Sequence, residues 1–108
     1  MANTFKNFFS KDVGTSPSTV YTAPAATQST VIGFSAANTT NSPVTCSAYV
    51  TSGGVDYYLV KGATVPNGGA LVIVGGDQKV VLEAADAVKV ISSAATSLDA
   101  VLSVLEIN

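Results

Sequence analysis

The stretch DYYLVKGATVPNGGALVIVGGDQK, residues 56–79, decides the fold: two runs of β-branched, aromatic and aliphatic residues, each closed by a cluster of Gly with Pro, Asn or Asp. Pro66-Asn67-Gly68-Gly69 sets a preset φ before residues that tolerate positive φ, so the chain turns between Val65 and Ala70. Gly75-Gly76-Asp77 reads as a second reversal, a hairpin turn, and Gly53-Gly54 upstream as a third.

The same texture extends outward in both directions. Val44, Cys46, Ala48 and Val50 alternate with their neighbours, which places them on one face of a strand. Candidate strands cover residues 4–9, 18–22, 29–37, 44–51, 56–65, 70–74, 79–82, 86–92 and 99–107. Residues 38–43 form a polar loop ended by Pro43, and the alanine-bearing runs 84–87 and 93–96 are too short to nucleate helices and read as turns. The expected architecture is all-β: an antiparallel β-sandwich, jelly-roll-like, of about eight strands with an extended N-terminal arm. At 108 residues the chain holds one domain, read as an arm over residues 1–17 and a sandwich over 18–108.

Composition narrows the function. There is no His and no Trp, and all five cations are lysines, Lys6, Lys11, Lys61, Lys79 and Lys89, against seven acids. With no imidazole and a single thiol, His-based acid–base chemistry and His or Cys metal sites are excluded, so the expectation is no enzyme, no cofactor and no metal. The net charge of −2 offers no basic field for phosphates, so nucleic acid is not an expected partner. Residues 1–11 have polar residues throughout and carry no continuous apolar stretch, so neither a signal peptide nor a membrane span is expected there. Cys46 lies on the apolar side of its strand and reads as a small core residue.

No motif gathers chemistry. Asp12, Asp56, Asp77, Glu83, Asp86, Asp99 and Glu106 stand singly, no Ser-x-x-Lys occurs, and Gly75-Gly76-Asp77-Gln78-Lys79 lacks the Gly-Lys-Ser/Thr ending of a phosphate loop. Asn38-Thr39-Thr40 matches a glycosylation acceptor but reads as a turn.

Contact surfaces are the more informative candidates. Phe5, Phe8 and Phe9, three of the four phenylalanines, lie in the arm, which is either an edge strand of its own domain or an anchor on a neighbouring molecule. Tyr57 and Tyr58 point to opposite faces of one strand, so one ring leaves the core side. Residues 101–107 are apolar on both faces, and Leu102 and Val104 are taken from it as interface candidates.

Residues 30–107 resemble small virion structural proteins of tailed bacteriophages, including those of marine and cyanobacterial hosts. The matching pieces, in order, are a strand leading into Ala-Asn-Thr-Thr (31–40), Tyr-Tyr-Leu (57–59), Val-Pro-x-Gly-Gly (65–69), Gly-Gly-Asp-Gln-Lys (75–79), Val-Leu-Glu-x-x-Asp-x-Val-x-Val (81–90) and Ser-Val-Leu-Glu-Ile (103–107). Similar sequences place Gly before the Asp of the fifth piece, where this chain has Ala85 before Asp86. The resemblance implies a β-sandwich subunit of a virion, located in the virion after synthesis in the host cytoplasm.

The expected function is a non-enzymatic capsid decoration or cement protein. It would self-associate as a symmetric homo-oligomer, preferably a trimer, and bind the major capsid protein or other virion proteins. A neck, collar, tail or fibre-attachment protein is the alternative within the same class. A small carbohydrate-binding or host-surface module using Tyr49, Tyr57, Tyr58 and the loop 38–41 is the alternative outside it. Removal of residues 1–11 is expected to leave a folded core and weaken assembly.

Overall fold

A computed structural model describes residues 3–108, so Met1 and Ala2 of the arm lie outside the described residues. The strands are β1 (Asn3–Val13), β2 (Ser18–Thr22), β3 (Gln28–Asn38), β4 (Val44–Ser52), β5 (Val55–Val65), β6 (Ala70–Val74), β7 (Val80–Leu82), β8 (Ala87–Ser92) and β9 (Leu98–Ile107). No helix occurs among the described residues, and the alanine-bearing runs are turns. One sheet has the order β1-β9-β3-β6, with β7 also on β3; the other runs β2-β8-β4-β5.

Every strand pair is antiparallel. β6 and β7 occupy successive stretches of β3, residues 70–74 against 34–37 and 80–82 against 29–31, so they are two halves of one interrupted edge strand. Counted that way, the first strand pairs with the last, the second with the penultimate, the third with the sixth and the fourth with the fifth. This is an antiparallel ribbon rolled into a sandwich, the jelly roll. Pairing of β9 with β3 and of β8 with β4 closes the two sheets, and the apolar residues between them form one core.

One expectation needs correction and two are made specific. Gly75-Gly76-Asp77 makes no hairpin: β6 and β7 run in the same direction, and residues 75–79 loop out of the edge of β3 before the chain rejoins it. Glycine permits either path, and pairing with β3 selects this one. Pro66-Asn67-Gly68-Gly69 is a turn, with the Gly69 N–H donating to the Pro66 carbonyl at 2.9 Å, but it carries the chain from one sheet to the other. Of the two readings of the arm, the edge strand is the one found: Asn3–Val13 is β1. It pairs with β9 from Asn3↔Ile107 to Ser10↔Ala100 as the edge of the first sheet, and residues 14–17 cross to the second.

Gly53-Gly54 is the expected tight hairpin: both residues have positive φ, and Ser52 pairs with Val55 across them. Gly62, not singled out in the sequence, marks a bulge in β5. Its φ is +67°, and its N–H donates to Ser47 Oγ at 2.9 Å while the β4–β5 register shifts beside it.

Candidate interaction surface

Strand register sorts the interface candidates by face. In β9 the alternate residues Leu98, Ala100, Leu102, Val104 and Glu106 are buried. Leu102 and Val104 have no exposed area and belong to the core, so neither is available to a partner; this corrects the sequence reading. The strand is apolar on both faces, and its parity, invisible in such a pattern, turns Val101, Ser103 and Leu105 outward instead.

Those outward residues extend across the whole first sheet. Phe5 lies opposite Leu105, Leu105 opposite Thr30 and Thr30 opposite Val81, giving one row. Phe9, Val101, Ser35 and Val72 give a second. Asn7, Ser103 and Gly33 lie between them. Phe5 and Val81 are each 72% exposed, Val72 68%, Phe9 65% and Val101 43%. Charge lies at its borders: Glu83 beside Thr30 and Val81, Lys6 beside Phe5, and at the other end Lys11, Asp12 and Asp99, with Lys11 Nζ 2.8 Å from Asp99 Oδ2 and the Asp12 N–H donating to Asp99 Oδ1 at 3.1 Å. That pairing lowers the Asp99 pKa and raises that of Lys11. A sheet face this wide with exposed apolar residues along its rows has the composition of a contact surface.

The face has relief. Phe5, Lys6, Asn7, Ile32, Ser103 and Val104 bound a notch of about 260 Å³, and a smaller one of about 220 Å³ opens between Phe9, Lys11, Asp99 and Val101. Phe8, the remaining aromatic of the arm, turns the other way and packs on Tyr21 with ring centroids 4.7 Å apart, so it is an anchor within the chain.

That inward side of β1 closes the sandwich edge. Glu106, 3% exposed, accepts a hydrogen bond from the Tyr21 hydroxyl at 2.6 Å and pairs with Lys6 Nζ at 2.9 Å. Ser29 Oγ is 2.8 Å from the same hydroxyl. Three strands of the first sheet are thereby tied to β2 of the second. The Tyr21 and Lys6 hydrogen bonds hold the Glu106 carboxyl below its usual range, while burial, reinforced by Glu106, pushes the Tyr21 phenol up to about 12. Among the described residues no group of three His, Cys, Asp or Glu side chains gathers as a metal site.

In the second sheet both tyrosines of the hairpin are exposed. Tyr58 lies on Tyr49, centroids 5.0 Å apart, under Lys61 Nζ 4.9 Å from its ring, so it covers the sheet surface. Tyr57 lies opposite Val50, on the core side of the sheet, yet is 59% exposed near the β4–β5 turn. The carbohydrate reading loses two of its groups: Tyr49 is buried, and the Asn38 amide is buried and donates to the carbonyls of Ser42 and Val65.

No family model and no curated protein matches the chain. Among solved structures it is similar to a chain from Bacillus described under "Bacillus endospore appendages form a novel family of disulfide-linked pili", with a TM-score of 0.57 and 14% identity over 99% of this chain and 87% of that one. At that identity the likeness establishes the all-β sandwich fold and nothing finer.

Proposed function

We propose that this chain is a non-enzymatic structural subunit of a multi-copy protein assembly, and that it works by burying the outer face of its first sheet. The observation that carries this reading is that face: two rows spanning β1, β9, β3 and the β6–β7 edge, uncharged along their length, with Phe5, Phe9, Val72 and Val81 exposed at their ends. A monomer gains nothing from presenting such a surface to water.

Within that class the reading is a capsid decoration or cement protein of a tailed-phage virion, seated on the major capsid protein, supported by the ordered resemblance of residues 30–107 to small virion proteins. A filament subunit is the second reading, favoured by the structural likeness to a protein described as forming pili. The disulfide linkage named for that protein does not carry over to this chain, whose single thiol, Cys46, is buried between the sheets with its pKa pushed up to about 11 by burial.

Counting copies in the native assembly, with electron microscopy of the same material, tests the reading. On the order of hundreds of copies on an icosahedral particle supports decoration, about a dozen or fewer supports a neck or tail, and a helical rod supports the filament. Recovery of the chain solely as a free monomer contradicts all three.

A further inference from the structure

We propose that the outer face of the first sheet packs against the same face of a second copy of this chain, about a two-fold axis parallel to the strands, with Phe5 and Phe9 of each copy set against Val81 and Val72 of the other. The inference rests on the reading of the chain as an assembling subunit and names its partner. The face carries its most exposed residues at both margins, Phe5 and Phe9 on β1 and Val72 and Val81 on β6 and β7, with Leu105, Val101 and Thr30 between them and the small residues Ser103, Gly33 and Ser35 at the centre. Because Phe5 shares a row with Val81 and Phe9 with Val72, this axis brings each aromatic over the matching valine. A two-fold across the strands would instead stack Phe on Phe at one margin and Val on Val at the other, leaving a wedge-shaped gap.

Area and charge both favour a second copy. Four strands at about 4.8 Å spacing, some nine residues long at about 3.3 Å each, give a projected face on the order of 550 Å², or about 1,100 Å² for the pair, the size of a weak, reversible interface. The rows carry no charge for an oppositely charged partner to recognise, and Lys6 and Lys11 beside them are paired within their own chain with Glu106 and Asp99. Two such faces stack as aligned sheets do, in the isologous way that makes closed dimers.

Sedimentation velocity of the full chain over a concentration series tests the pairing. The expected result is a reversible dimer, weakened on the order of a hundredfold by the double substitution Val72→Lys and Val81→Lys and unchanged by Val55→Lys on the β4–β5 hairpin. Both lysines enter exposed positions, and circular dichroism checks that the fold is kept.

A wild-type chain that is monomeric throughout, a trimer, or a dimer indifferent to the lysine pair overturns the proposal. If such a chain is still recovered in many copies on a larger particle, the structural role stands and only the self-pairing fails. Absence from every particle removes the role itself.

Discussion

At Ala85 the chain pays for a missing glycine: φ is 74°, in the region where a Cβ crowds the backbone. The turn is held by the Ala85 N–H on the Ala23 carbonyl and by the Glu83 N–H on Asp86 Oδ2, so the strain is locked in. Ala85→Gly is expected to stabilise the fold by about 0.5–1 kcal/mol in urea denaturation, the relief of strain exceeding the added chain entropy; a loss of stability would contradict this. The sequence reading took residues 84–87 as a turn, but an alanine at 85 gives no sign of the positive φ. The Glu106–Tyr21–Ser29 cluster was illegible, because these residues are remote in sequence and only the jelly-roll path joins them. Tyr21→Phe is expected to cost about 1–3 kcal/mol, since it leaves a buried carboxylate short of a donor.

The pH dependence of that cluster has a definite sign. Glu106 has its pKa lowered from 4.5, so its stabilisation is complete above that pH and is lost as the pH falls through the folded value. Tyr21 has its pKa raised from 10.0 to about 12, so its contribution is complete below pH 10 and is lost as the pH rises toward 12. Denaturation midpoints measured across pH should fall in both windows, and Glu106→Gln should flatten the acid one.

At the scale of elements, β1 changes the expectation for truncation. It covers the edge of β9, seats Phe8 on Tyr21 and supplies Lys6 to Glu106. Removal of residues 1–11 should therefore lower the unfolding temperature sharply and expose β9 as a pairing edge, rather than leave an intact core. A truncated chain with unchanged thermal unfolding would contradict this. Strand positions were legible because turn residues bound each apolar run: Ser18–Thr22 and Ala70–Val74 fall where the pattern put them. Strand destinations were not, since Gly-Gly-Asp at 75–77 suits a reversal and a loop-out equally, and only the tertiary partner β3 decides between them.

For the whole molecule, the sandwich follows from alternation and the working face from parity. Phe5 and Phe9 are outward as a sequence reading can anticipate from spacing two strand periods apart, whereas Leu102 and Val104 sit one residue out of phase with the surface. Leu102→Ala should accordingly act on folding, at a cost of about 2–5 kcal/mol in chemical denaturation, before it acts on any contact. Thiol labelling of a Val101→Cys variant tests the central claim most directly, because Val101 is in the middle of the outer face and the native Cys46 is buried. The account predicts ready modification in the dissociated chain and about a tenfold or greater slowing in the assembled state, with a Val55→Cys control reacting alike in both. Equal reactivity of residue 101 in the two states would mean that this face stays open to water in the assembly, and the account would fail.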